Sequence, residues 1–195
     1  LNEFLCKTLN VYVSANSAWL DRQYWDNSVG ESKAEPESVF IGFDLAATRD
    51  LNAVCTLKRY SNEDYHAEFK FFLPEDGLAL VPTHYRDVFD QAVRSGILHI
   101  TEGNVMDDRE ISDYIKSQAT LYNVKEVGYD AYNAASLIAR LHDAGIPVKK
   151  VGQGMAVLSN PSKHIEKLVM SQFIRHDGNP FVGWQLGNAE VYEDV

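Results

Sequence analysis

The sequence has no apolar run approaching the roughly 20 residues that a membrane-spanning helix needs. Its start, LNEFLCKTLNVYVSA, lacks the basic segment and long apolar core of a secretory signal. It also lacks an initiator Met, which points to a piece excised from a longer chain. Cysteine is scarce: Cys6 and Cys55 form no metal-spaced pair and fit a reduced setting. The 6 histidines supply no His-x-x-x-His pair and no zinc signature. No G-x-x-x-x-G-K-[ST] motif is present, which excludes P-loop ATP hydrolysis. Positive charge is in deficit, with 18 Lys and Arg against 28 Asp and Glu and a net charge of −10. That argues against a surface coated in phosphate-binding groups, leaves room for a local basic groove, and suits a site that collects divalent cations.

The 195 residues are 45% hydrophobic and 24% charged, a globular composition with no repeat and no low-complexity tract. Residues 1–37 read as an arm and linker. An aromatic half contains Trp19, Tyr24 and Trp25, and a Gly-, Ser- and Pro-bearing stretch, SVGESKAEPES at 28–38, reads as a tether. From 38 to 195 a domain follows. VFIGFD, NAVCTLKRY and YHAEFKFFLP read as three strands joined by short turns, an antiparallel meander. The spacing of Val88, Phe89, Ala92 and Val93 predicts a helix over 81–96, then a short extended piece at 97–103 and a helix over 107–123. A strand at 124–130, a helix at 131–145, a strand at 146–153 and a helix at 160–172 complete the pattern, with Pro161 placed in the last helix's first turn. The fold class is therefore α/β: a mixed sheet, meander first and parallel βα units after, flanked by helices. The later strands should run parallel to the first.

Two of the predicted strands end on an acid, Asp44 and Asp130. A carboxylate at the end of an apolar strand needs a partner, a turn to cap, or a cation. If the two strands are parallel neighbours, both carboxylates leave the same sheet edge, where open α/β sheets place ligands. Two close carboxylates repel unless protonated or bridged by a cation, and oxygen-only ligands suit Mg²⁺ or Mn²⁺. A pair of such ions roughly 4 Å apart clamps the two oxygens of a phosphodiester displacement. The plainer readings are that Asp44 holds a turn and that Asp130 is the N-cap of the following helix. Asp50 is a third, accessory candidate.

GFDLAATRDLNAV resembles the first acidic motif of the nuclease domain of the large terminase subunit of tailed bacteriophages. RSGILHITEGNVMDDREI resembles its middle segment, VGYDAYNAASLIARLHDAGIPVKKVGQGMAVLSNPSKHIEKLV its second acidic motif, and IRHDGNPFVGWQLGN a later stretch. LNVYVSANSAWLD resembles the join from that family's upstream ATPase motor. The resemblance covers essentially the whole chain. It implies an RNase H-like fold and a metal-dependent endonuclease that cuts concatemeric viral double-stranded DNA. It also implies Mg²⁺ or Mn²⁺ in a two-ion site held by Asp44 and Asp130, with the upstream ATPase domain, a small terminase subunit and a portal as partners. The implied location is the cytoplasm of an infected or lysogenic bacterial host, away from membranes. The family places a further catalytic Asp on a helix near the domain's C-terminus, and the sequence departs from this by ending at AEVYEDV, so the domain reads as truncated there.

Lys149, Lys150, Lys163, Lys167 and Arg175 are candidates for DNA phosphates, with a solvated helix face as the alternative. His176 reads either as a phosphate or water contact or as a surface turn residue. Gln153 is a candidate to face the site, and Trp184 reads as core. The competing class is a non-catalytic DNA- or portal-docking module in which the acids are structural. An actin-like kinase fold also opens on a strand-end Asp, but DLAATRD has none of the glycines its phosphate hairpin needs.

Overall fold

The computed structural model describes residues 19–190 apart from Lys33, Ala47 and Asn62. Most of the predicted arm, including Cys6, and the last five residues lie outside the described residues. Three strands form first: β1 (Ser38–Asp44), β2 (Asn52–Arg59) and β3 (Tyr65–Pro74). β1 pairs antiparallel with β2, and β2 antiparallel with β3, giving the predicted meander. Then follow β4 (Leu98–Thr101), β5 (Val124–Tyr129), β6 (Val148–Lys150) and β7 (Ile174–His176). The strand order is β4-β3-β2-β1-β5-β6, and β7 joins the outer side of β3. Every pairing of the later strands is parallel, so β2 alone runs against the rest.

Alternation along the strands gives each sheet face its own core. On one face Ile41, Phe43, Val54, Phe72 and Val127 are buried against Ile111 and Ile115 of α4 (Asp108–Leu121) and Leu137 and Leu141 of α5 (Ala135–Asp143). α4 carries the chain from β4 across to β5, and its 14 residues reach about 21 Å at 1.5 Å per residue, enough to cross the intervening strands. On the other face Ala67, Phe71 and Leu73 pack against Phe89 and Ala92 of α3 (Arg86–Arg94) and Phe181 and Val182 of α7 (Pro180–Gly187). Trp25 of α1 (Arg22–Asn27) and Val169 of α6 (Met155–Met170) close the same core. That second layer covers β2 and β3. Over β1 the same face stays open, with Phe40 and Gly42 exposed.

Several elements differ from the sequence reading for identifiable reasons. The helix expected over 81–96 starts only at Arg86, behind Pro82 and a 3₁₀ turn at Thr83–Tyr85, and a short helix α2 (Glu75–Leu80) precedes it. α5 starts at Ala135, because residues 131–134 form a turn in which Asn133 adopts φ 54°. α6 begins at Met155, which puts Pro161 inside the helix instead of in its first turn. Pro161 has no N–H to donate, and it sits on an exposed stretch, so the carbonyl it frees is not in the core. α7 has no counterpart in the sequence reading, although its start is legible: Asn179 accepts from the Phe181 N–H at 2.9 Å and Pro180 occupies the first helical position. The arm's described part packs on the domain itself. Leu20 and Trp25 are buried, the Trp19 N–H donates to the Ala189 carbonyl at 2.8 Å, and Val29 bridges to His176. Ser28, inside the stretch read as a tether, is buried as well.

Candidate metal centre

β1 and β5 are adjacent and parallel, with Gly42 opposite Gly128 and Phe43 opposite Tyr129. The chain arrives at this register through a one-residue irregularity at Val39/Phe40, where the partner steps from Val124 to Glu126. Continued without that step, the pairing would set Tyr129 beside Asp44 and turn Asp130 away from it, since a one-residue slip reverses the faces of a strand. With it, Asp44 and Asp130 leave the two strands side by side, and adjacent strands lie only about 4.8 Å apart. Both acids line one cleft of about 500 Å³. Gly42 and Gly128 form its floor, Ala53, Cys55, Phe69 and Phe71 one wall, and Val182, Gln185 and Leu186 of α7 the roof. Val151 and Gln153, just beyond β6, complete the rim, so Gln153 faces the site as its position after the strand suggests.

The plainer roles of the two acids can now be compared with their contacts. Among the described residues Asp44 is exposed, forms no ion pair and caps no turn. Asp130, half-buried, accepts from the Tyr132 N–H at 3.3 Å through Oδ1, an Asx turn that fixes its carboxyl. It is not the cap of α5, whose N-cap is Ala134 without a side-chain bond. Two oxygen-only donors on one open edge fit a hard divalent cation. No group of three or more His, Cys, Asp or Glu suited to a metal occurs among the described residues, so the donors on hand are this pair. Cys55, at the cleft wall, is held protonated: burial, aided by the Glu68 charge, pushes its thiol up to about 12.

The remaining candidates disperse. Asp50 does not line the cleft; its Oδ1 accepts from the Leu51 N–H at 2.8 Å on the exposed β1–β2 loop. Lys149 and Lys150 stand at the acid edge, opposite Gly128 and Tyr129, and the Lys149 Nζ lies 3.5 Å from Glu126 Oε1. Lys163 and Lys167 are exposed along α6, and Lys167 lines a small hollow with Tyr65 and Phe173 where β3 begins. Arg175 pairs with His66 near that same opposite end of the sheet, so the five cations do not make one patch. His176 is 1% exposed and is neither a surface turn nor free to touch DNA. Its ring stacks on Trp25 at 3.8 Å, its Nε2–H donates to the Trp25 carbonyl at 2.8 Å, and its Nδ1 accepts from the Gly178 N–H at 3.0 Å. Trp184 packs with Phe89, Phe181 and Tyr85, a core position as expected.

A residue the sequence reading passed over lies one position before Asp44's partner in β2. Asn52 is fully buried; its Oδ1 accepts from the Ala46 N–H at 2.9 Å and its Nδ2 donates to the Asp50 carbonyl at 3.1 Å. Asn beside a strand start signals a turn in sequence, but nothing there shows that the loop folds back onto it.

Comparison with known proteins agrees with this architecture. Protein YmfN of Escherichia coli (strain K12) is 29% identical over 202 residues, spanning 96% of this chain and 44% of its own length. The terminase large subunit of Enterobacteria phage HK97 is 23% identical, over 100% of this chain and 39% of its own. The HK97 crystal structure superposes with a TM-score of 0.75 over 93% of this chain and 38% of that one. The large terminase nuclease of thermophilic phage G20c with bound magnesium gives 0.57 at 11% identity, over 92% of this chain and 84% of that one. At these identities the superpositions speak for the fold, an RNase H-like domain, and the chain spans about two fifths of the length of its curated relatives. The profile of the terminase large subunit endonuclease domain matches residues 1–195, and the chain belongs to that family.

Proposed function

We propose that the domain is a divalent-metal-dependent endonuclease that hydrolyses phosphodiester bonds of double-stranded viral DNA during genome packaging. The observation that carries this reading is the placement of Asp44 and Asp130 in one open cleft at the ends of adjacent parallel strands. Mg²⁺ or Mn²⁺ held there supplies Lewis-acid stabilisation of the phosphoryl charge and a water more acidic than bulk water, with two ions as the fuller arrangement. The magnesium in the related G20c nuclease supports the cofactor class. The carboxylates act as ligands and not as nucleophiles. Asp130 is oriented by its turn to Tyr132, and the glycine floor lets a bulky backbone phosphate approach the strands. Lys149 and Lys150 are placed to neutralise phosphates flanking the cut. Lys163, Lys167 and Arg175 would engage DNA only on a path that runs away from the acids toward the opposite end of the sheet. An upstream ATPase domain, a small terminase subunit, a portal and the host cytoplasm complete the setting that the family suggests.

The docking-module reading is favoured by one observation, the absence of a third acidic or His ligand among the described residues. The test is plasmid cleavage in Mn²⁺ by this chain and by a longer one that continues past Val195, each with Asp44→Ala and Asp130→Ala. Metal-dependent nicking that both substitutions reduce by at least about 100-fold supports the nuclease. Cleavage that survives either substitution overturns the site, and no cleavage by the longer chain, together with retained DNA binding, favours docking.

A further inference from the structure

We propose that Asn52 is a positioning residue of the acidic site, fixing the loop that begins at Asp44; the assignment rests on the metal-centre reading above. Three features of the geometry point to it. First, the side chain ties the two limbs of the β1–β2 loop together: Oδ1 takes the Ala46 N–H, two residues past Asp44, and Nδ2 gives to the Asp50 carbonyl. Second, the chemistry demands an amide. The site needs an acceptor at one tip and a donor at the other, which a carboxylate or hydroxyl does not provide in that arrangement. Asn52 is 0% exposed, so an ionised Asp there would carry a heavy desolvation cost. Third, the loop is pressed from its other side. A Cβ on Gly77 of α2 would meet the Arg49 carbonyl oxygen at 2.3 Å, so only glycine lets α2 close on that loop. Arg49 also reaches Asp76 at 3.9 Å. Asp44 is seated by β1, opposite Ala53 of β2, and has no ion pair of its own among the described residues; the loop that leaves it is held between Asn52 and Gly77, which fixes the backbone on its downstream side. A pair of ligands gains affinity from being held before the cation arrives, because less ordering is left to do on binding.

The test uses the 195-residue chain and Mn²⁺ alone, titrated by calorimetry and by the metal-induced rise in melting temperature, with amide exchange at Ala46 as an independent readout. Asn52→Ala should speed Ala46 exchange and weaken Mn²⁺ binding by about 10-fold or more while the domain stays folded. Gly77→Ala, which touches neither Asn52 nor the acids, should weaken binding in the same direction. Ile97→Ala, a buried change away from the loop, serves as the stability control and should lower the melting temperature with Mn²⁺ affinity unchanged. Unchanged Mn²⁺ affinity in Asn52→Ala, with Asp44→Ala abolishing binding, overturns the positioning role and leaves the metal centre standing. Binding by Asp44→Ala equal to that of the parent overturns the metal centre, and the role of Asn52 falls with it. If Asn52→Ala does not fold, Gly77→Ala decides alone: parental affinity in it defeats the proposal.

Discussion

Phe43 and Tyr129 are register partners on β1 and β5, their rings near parallel with centroids 6.0 Å apart, and the residue after each is an aspartate. The stacked rings pin the strand ends from the core side, while the carboxylates emerge on the open side. Without a cation the two charges repel, and for charges one strand spacing apart, about 4.8 Å, a water-like dielectric puts that at about 0.9 kcal/mol. Asp44→Asn and Asp130→Asn should therefore each leave the metal-free domain as stable as the parent or up to about 1 kcal/mol more stable. Each should also lose the stabilisation that Mn²⁺ gives the parent. Urea melts in chelator and in Mn²⁺ check both halves, and a loss of stability in chelator would show that the acids serve the fold.

The parts of this site that were legible in the sequence are those governed by short-range pattern. An apolar run ending on an acid, twice, sets Asp44 and Asp130 at one edge on the condition that the two strands are parallel neighbours, and β1 and β5 are. What decides whether they are abreast is the step at Val39/Phe40, and no local signal marks it. Asn52 escaped for a similar reason, since its role exists only once the β1–β2 loop closes on it. His176 misled because Asp177, Gly178 and Asn179 are turn residues, yet the ring itself turns inward onto Trp25, 151 positions away in sequence. The Asn179–Pro180 start of α7 carries a helix-start signal, and the sequence reading assigned no helix there.

α7 roofs the cleft with Val182 and Leu186, so its cap should matter to the site as well as to stability. Asn179→Ala removes the acceptor of the Phe181 N–H and should cost about 1 kcal/mol. Asn179→Gly should cost a few tenths. Thermal melts give the stabilities. A loss above about 3 kcal/mol would mean that the residue does more than cap the helix, for instance through its 3.3 Å contact from Nδ2 to the Ser95 hydroxyl.

Leu137 is fully buried in the first turn of α5, the helix that follows the turn carrying Asp130. Leu137→Ala should destabilise the domain by about 2–5 kcal/mol, the range for buried leucines whose surroundings relax only in part. Because α5 is the support for residues 130–134, metal binding should weaken with it, unlike in the Ile97→Ala control. Denaturant melts followed by Mn²⁺ titration of the folded variant test this, and undiminished affinity would show that the Asp130 turn holds itself.

His176 gives the stability a pH dependence whose sign follows from its contacts. Burial holds its imidazole below the usual value of 6.5, against the opposing pull of its bond to the Trp25 carbonyl and the nearby Asp177 and Asp26 charges. The Nδ1 lone pair is occupied by the Gly178 N–H, so a second ring proton would have to displace that bond. The unfolded chain takes up a proton at about 6.5 and the folded one does so only at lower pH, so the unfolded state binds more protons in between. The contribution is complete above pH 6.5 and is lost as pH falls through the lowered folded value. Melting temperature measured from pH 7.5 down to 5.5 should therefore fall more steeply in the parent than in His176→Gln. That variant should itself be less stable at pH 7.5 by about 2–4 kcal/mol, from the lost Trp25 stack and the unpaired Gly178 N–H. Equal slopes would mean that the ring titrates alike in both states, and the stack would then be packing without a pH signature.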